Sequence, residues 1–307
     1  MRIATNQYHA TMNSALQAAN TGLSQVMQQM ASGQRVMKPS DDTIATVRLA
    51  RLTREETALT QYRDNVGALK TRLQANEVTL DSMEQDLMMA RDLMVWAADG
   101  ANTPDDLKAM STSLESLRDS LFYSANSKNA EGRFLFSGTA TNVDTVVDRS
   151  TLVPAVAWTP ATRYVAGTGI NADTQDVAVG DGVTIAASVS LQPFNVDAFL
   201  NKLSDAADRF KTGSYTSTTA RDMLGEIDTM LGNITGQIGA LGGRQNVVQT
   251  LDDNHASVSL ANKQASLSLG QLDYAEAAVR LNSYTLAVQA TQKAYAKVST
   301  LGLFNAL

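Results

Sequence analysis

The sequence predicts a mainly α protein: an elongated helical bundle with paired N- and C-terminal coiled-coil helices and a small β-rich insertion. Three observations predict it. Both ends carry narrow apolar stripes at three-four spacing, a heptad runs through the longest helical pattern, and that periodicity vanishes between about residues 139 and 192, where β-branched pieces alternate with Gly, Asn and Asp.

The first stripe is Met12, Leu16, Ala19, Leu23, Val26 and Met30, the seam of a coiled coil. A stripe this narrow needs a partner. The candidates are the same segment of a neighbouring molecule or the matching C-terminal stripe, Leu281, Tyr284, Val288, Thr291, Tyr295 and Val298. Ends built this way suggest polymerisation. The break after the first stripe runs from Ser32 to Asp42: Gly33 stops the helix, Pro39 forbids its continuation, and Ser40 is read as the N-cap of the next helix. Asp41 and Asp42 then fall in the first turn, each opposing the helix dipole by roughly 0.3 to 1 kcal/mol.

From Leu59 the seam continues through Tyr62, Val66, Leu69, Leu73, Asn76, Leu80, Met83, Leu87, Ala90 and Met94, a helix of about 50 Å at 1.5 Å per residue. Asn76 is its polar member. It either fixes register or sits at the solvent edge of the seam, and the solvent edge is the simpler reading. Asp99-Gly100 ends the helix, and Thr103-Pro104-Asp105-Asp106 starts another, with Leu107, Met110, Leu114, Leu117 and Leu121 on its apolar face. The two form an antiparallel hairpin.

The character changes at Gly132. Arg133 to Gly138 is a short aromatic, strand-like run, and four β-branched pieces follow, at 145–147, 163–165, 177–179 and 183–185. Helical spacing returns with Val196, Phe199, Leu200, Leu203 and Ala206, then with Met223, Ile227, Leu231, Ile234, Ile238 and Leu241. A last helix is expected from about Gly243 to Ser299, with Val247, Leu251, Val258, Ala261, Ala265 and Leu272 on one face. This order places the insertion at the distal end with its own two ends close together, and makes it dispensable for the helical seam.

Composition narrows the function. The 307 residues allow two or three domains, and an aromatic content of 6% favours slender helical layers over one thick core. With 31 acidic against 25 basic residues the charge of -6 has the wrong sign for a nucleic-acid or anionic-membrane binder. The absence of cysteine removes disulfides and thiolate metal sites, and two histidines leave little for an imidazole cluster. The first fifteen residues lack the apolar run of a cleaved signal, and no stretch of about 18 apolar residues is present to insert in a membrane.

No catalytic, cofactor or metal residues stand out. Gly167-Thr168-Gly169 and Gly180-Asp181-Gly182 lack the Lys-Ser/Thr and the following helix of a phosphate loop. Asp173, Asp176 and Asp181 lack the spacing of a calcium loop and read as turn residues. Gly236, Gly239, Gly242 and Gly243 are expected to let a neighbouring segment approach closely. His9 and His255 have no partners in a triad arrangement, and Asn233-Ile234-Thr235 is a sequon by pattern alone.

The run Ser32-Gly33-Gln34-Arg35-Val36, followed by Pro39-Ser40-Asp41-Asp42, resembles the signature of the bacterial flagellin superfamily, and the likeness extends over nearly the whole chain. Three features look like the hook-associated branch of that superfamily rather than flagellin itself. They are the opening Met1 to Asn6, the run Asn129 to Thr139 with Gly132, Arg133, Phe134, Phe136 and Gly138, and the ending Leu301 to Leu307, where flagellins usually close on an arginine. Leu272 to Ala277 is similar to a C-terminal block that both share. Thr43 stands where proline is common, Phe134 where tyrosine is, and Leu191-Gln192-Pro193-Phe194 replaces a Gly-rich approach to the second helical half.

The resemblance implies a flagellin-like fold in three parts: a terminal coiled-coil domain of 1–42 and 263–307 that forms an inner tube, a helical-bundle domain of 43–138 and 194–262, and a β-rich outer domain of 139–193. It implies a structural, non-enzymatic role at the junction of hook and filament. The partners would be the first hook-associated protein on the hook side, flagellin on the filament side, further copies of the chain in a ring, and a dedicated export chaperone. The location would be the extracellular flagellum, reached through the flagellar type III channel. Assembly would use the terminal seam residues and the Ser32 to Asp42 loop. A minor filament flagellin is the close alternative, and a helical stalk carrying a carbohydrate-binding or hydrolytic insertion the remote one.

Overall fold

The computed structural model describes residues 2–99, 101–152 and 156–304, with side chains over 7–99, 101–152 and 156–297. The chain is mainly helical, as the sequence predicts. Among the described residues six α-helices, α1 (Arg2–Ser32), α2 (Thr43–Ala98), α3 (Pro104–Ala125), α4 (Val196–Thr212), α5 (Ser217–Gly270) and α6 (Tyr274–Phe304), enclose four short strands in sequence. The chain forms two compact units, Met1–Leu59 with Ala256–Leu307, and Thr60–His255.

In the second unit the α2 seam forms a dry core. Val66, Leu69, Leu73, Leu80, Met83, Leu87, Ala90 and Met94 are all buried and share that core with Leu114 and Leu121 of α3, Leu200 and Leu203 of α4, and Ile227, Ile234 and Leu241 of α5. Polar side chains pin α2 to α5 in antiparallel register: Lys70 to Asp252 at 2.8 Å, Glu77 to Gln245 at 2.6 Å and Arg91 to Asp228 at 2.7 Å. Helix α3 starts on a capping box of Thr103 and Asp106 with Pro104 in its first turn.

The strands lie within a residue of the four β-branched pieces. β1 (Val146–Asp148) pairs antiparallel with β2 (Tyr164–Ala166), and β3 (Asp176–Gly180) with β4 (Val183–Ala186) through a turn with Gly182 at φ +68°. The aromatic run is no strand; it makes isolated bridges, Lys128 to Phe134 and Ser137 to Ser190. The second bridge brings the two ends of the insertion together.

Several expectations need correction. The insertion is not a domain apart from the bundle: Phe136, Val146, Tyr164, Val179, Ala187 and Val189 belong to the core of the helices, and the β3–β4 hairpin lies along α2 and α5. Side chains of those two helices hold its backbone carbonyls. Asn65 donates to Ala178 O at 2.8 Å, Arg244 to Ser188 O at 3.2 Å, and His255 Nε2 contacts Val179 O at 2.7 Å while stacking on Tyr62. Asn76 is fully buried rather than at a solvent edge, and its amide donates to Ala187 O at 3.3 Å. Gly236, Gly239, Gly242 and Gly243 bring no neighbour near; a Cβ built on each meets nothing within 4 Å.

The last helical stretch is two helices. It breaks at Gln271–Asp273, because the Asp273 carboxylate accepts the backbone N–H groups of Ala275 and Glu276 and caps a new helix.

Candidate functional site

The first unit contains the proposed assembly residues. Helices α1 and α6 run antiparallel: Gly22 lies against the Tyr284 ring, and His9 makes an edge contact with Tyr295, their ring centroids 5.4 Å apart. Val26, Leu272 and Ala277 are buried between them, with Met30, Leu281 and Tyr284 packed against that cluster. Met12, Leu16, Leu23 and Val288 are half-buried, and Tyr295 is exposed. The Val298 side chain lies outside the described residues, as do the chain's last three residues.

The two end stripes therefore partner each other within one molecule. Two helices side by side bury one seam and leave their outer faces bare. Met27, Val279 and Leu286 are 57%, 67% and 56% exposed on those faces.

The Ser32 to Asp42 loop closes the base of the pair. Gly33 takes the left-handed conformation at φ +69°, which ends α1 and aims its carbonyl at Leu272 N, 3.0 Å away. Gln34 bridges Gln271, and Arg35 N donates to Gly270 O at 2.8 Å. The Arg35 guanidinium donates to Leu269 O at 3.0 Å and pairs with Asp42 at 3.1 Å. Gln29 Nε2 closes the loop on Arg35 O at 2.7 Å, and the Ser32 hydroxyl donates to Gln29 O. The chain thus ties the α1–α2 turn to the α5–α6 turn through backbone pairing. Pro39 and Ser40 sit exposed at the tip of the loop.

The cap of α2 is Asp42, not Ser40: its Oδ1 accepts Ala45 N at 2.9 Å. The Ala45 N–H, followed by Arg35, holds its carboxyl below the usual range. Asp41 turns back instead, accepting Met37 N and Lys38 N at 3.1 and 2.9 Å, so it braces the loop rather than the helix dipole.

The second signature run is structural within its own unit. Asn129 Oδ1 accepts Glu131 N and Arg133 N around Gly132, at φ +77°, and Arg133 Nη1 donates to Thr141 Oγ1 at 3.2 Å. Phe134 and Phe136 are buried, and Lys128 Nζ lies 4.3 Å from the Phe134 ring centroid. Gly138, at φ +75°, lies so close to Asn171 that a Cβ would overlap its carbonyl.

Sequence reasoning missed Gln29, Gly22, Asp273 and the side chains that hold the hairpin. Asp273 had a signal, since Asp-x-x-Glu before a helical run marks an N-terminus. The groove between α4 and α5, about 480 Å³, is lined by two ion pairs, Lys202 with Glu226 and Arg209 with Asp205, and by Asp222. Among the described residues no group of three or more His, Cys, Asp and Glu could hold a metal ion, and no helix is long and apolar enough to cross a membrane.

Residues 3–141 match the family model of the bacterial flagellin N-terminal helical region. A solved structure described as a flagellar hook-associated protein of Vibrio parahaemolyticus is 32% identical, covers 75% of this chain and 99% of its own, and superposes with a TM-score of 0.66. The flagellar hook-associated protein 3 of Escherichia coli K12 is 23% identical over 91% of this chain and 90% of its own. The protein of the same name from Salmonella typhimurium is 28% identical, over 45% of this chain and 44% of its own.

Proposed function

This chain belongs to the flagellin superfamily, in its hook-associated protein 3 group, and from that premise we propose how it joins hook to filament. It is a structural component of the bacterial flagellum, a hook-filament junction protein. The reading that fits the geometry is mechanical adaptation. Copies form a ring whose inner tube is built from residues 1–42 and 263–307, one face of the ring meeting the first hook-associated protein and the other templating flagellin. The helical bundle and the insertion that shares its core form the other part of each subunit.

The observation that carries this reading is the bare outer face of the α1–α6 pair. Met27, Val279 and Leu286 are large, apolar and more than half exposed, and the seam residues Met12, Leu16, Leu23 and Val288 are only half covered by the partner helix. Exposed apolar helix faces of this kind are covered in an assembly or aggregate. Before assembly the same faces need an escort, which supports a dedicated export chaperone and passage through the flagellar type III channel. The Ser32 to Asp42 loop contributes by fixing the angle at which the helix pair leaves its base.

The test is a strain lacking the chain. It should carry intact hooks, shed flagellin monomers into the medium and recover filaments when the gene is restored. A deletion strain that still grows filaments of normal length on its hooks would refute the junction role.

A further inference from the structure

Helix α2 carries two clusters of charge that make no ion pair among the described residues. Near its start, Ile44 and Val47 are 66% and 67% exposed, and Arg48, Arg51 and Arg54 lie beside them at helical spacing. Among the described residues none of these three guanidinium groups meets a carboxylate; Arg54 donates only to the carbonyl of Ala50. Farther along, Glu77, Asp81 and Glu84 step by four and three, flanked by exposed Val78, Met88 and Met89. Their partners are neutral: Gln245 donates to Glu77 and Thr235 to Glu84. Among the described residues Asp81 has no hydrogen-bond or ion-pair partner, and burial together with the charges of Glu77 and Glu84 raises its pKa.

The segregation is marked along the helix. Residues 43–72 hold six basic and three acidic side chains, and residues 73–98 hold five acidic and one basic. Elsewhere on α2, Arg63 and Lys70 are matched by Asp252, Arg91 by Asp228 and Glu56 by Lys263, Arg72 bonds the neutral Gln175, and Glu55, Asp64, Asp86 and Asp92 make no ion pair among the described residues. Among the unpaired charges two clusters, each of one sign, stand out, Arg48, Arg51 and Arg54, and Glu77, Asp81 and Glu84, each beside exposed apolar side chains. Arginine and methionine amid such patches are also what interface cores favour over the general surface.

We propose that these two faces dock on each other between neighbouring copies, the Ile44 to Arg54 face of one molecule on the Val78 to Met89 face of the next. Opposite charge gives the pairing its orientation and register, and the apolar side chains supply the area that becomes dry. The two faces are different parts of the surface, so the contact is heterologous: each copy offers one face to one neighbour and the other face to a second, and the contact repeats around a ring or along a helix of subunits. The inference rests on the ring proposed above and adds the surface that sets its register.

The chain's lack of cysteine makes the test direct. In a strain lacking the native chain, one copy carrying Arg51→Cys and a second carrying Asp81→Cys are expressed together, and intact flagella are oxidised. The disulfide-linked dimer should form severalfold more than with an Arg51→Cys and Thr218→Cys control pair. In a parallel arm without cysteines, Arg51→Glu and Asp81→Arg should each impair swimming alone, and the reversed pair in one chain should restore it. Cross-linking no better than the control, symmetric 51–51 dimers only, linkage to flagellin instead of a second copy, or failure of the reversed pair would each overturn the docking while the subunits remain at the hook tip. Subunits absent from the hook tip in the unsubstituted control would instead refute the junction reading, and this inference with it.

Discussion

Gly22 lies under the Tyr284 ring, and enlarging it should separate the helix pair. A Cβ built there falls 2.6 Å from Tyr284 Cε1 and Cζ, against the 3.4 Å at which ordinary contact begins. The ring must retreat by roughly 1 Å to admit even a methyl group. Two terms decide the outcome of Gly22→Ala. Alanine gains about 1 kcal/mol of helix propensity over glycine, while moving a half-buried tyrosine out of the seam forfeits about 1–2 kcal/mol of apolar burial. Gly22→Ala should therefore be close to neutral. Gly22→Leu adds three more carbons to the same space; the propensity gain is unchanged, the ring loses its seat, and the pair should be destabilised by about 1–3 kcal/mol. Amide hydrogen exchange reads this locally, with protection falling at Gln25 to Met30 and Leu281 to Thr285 and unchanged around Leu80. A second substitution, Tyr284→Ala, makes room, so the double variant should recover part of the loss. Strict additivity of the two changes, or a Gly22→Leu protein as protected at the seam as the native one, would refute the packing argument.

Asn76→Leu should cost about 1–3 kcal/mol, because it removes the unpartnered Oδ1 but leaves the buried Ala187 carbonyl without its donor, whereas Asn76→Asp should cost several kcal/mol by also burying an unpaired charge; urea unfolding measures both. Burial pushes the Asp148 carboxyl up, but Arg163 Nη2 at 2.7 Å and the Ser150 donors outweigh it and hold the pKa below 3.8. A depressed folded pKa means that its stabilisation is present above the unfolded value and is lost as pH falls through the folded one. Asp148→Asn should thus cost about 1–3 kcal/mol at pH 7, and the native advantage in thermal unfolding should shrink below about pH 4. Replacing residues 140–190 by a short Gly/Ser linker removes Val146, Tyr164, Val179, Ala187 and Val189 from the core, so the shortened protein should unfold at lower urea and expose apolar surface to a reporter dye, not remain a stable bundle.

What the sequence made legible was local. The heptad from Val66 to Met94 reads directly as the buried seam, because the repeat places one residue per turn toward the same side. Thr103-Pro104 and Gly33 read correctly as boundaries because capping and left-handed conformations depend on neighbours a few residues away. Asn76 was misread because its partner, the Ala187 carbonyl, is 111 residues away and a carbonyl has no sequence signature. The same holds for Asn65, Arg244 and His255 on the hairpin. The break at Gln271 was missed because small and apolar residues keep helical spacing across it; the Asp273 cap and the Gln34 bridge outweigh that spacing. The glycines from Gly236 to Gly243 were assigned a close neighbour, yet α5 faces open space there.

The central claim is that the paired terminal helices carry assembly, and Leu23→Asp tests it most directly. Leu23 is half-buried in the α1 stripe, so a carboxylate there can reach water in the monomer but not in a closed assembly. The measurement is the fraction of hooks bearing the subunit and a filament when the variant is the sole source of the chain and its export is confirmed in the medium. The account predicts exported protein, bare hook tips and shed flagellin. Variant subunits seated on the hooks under filaments of normal length would contradict it and move the assembly surface away from the terminal helices.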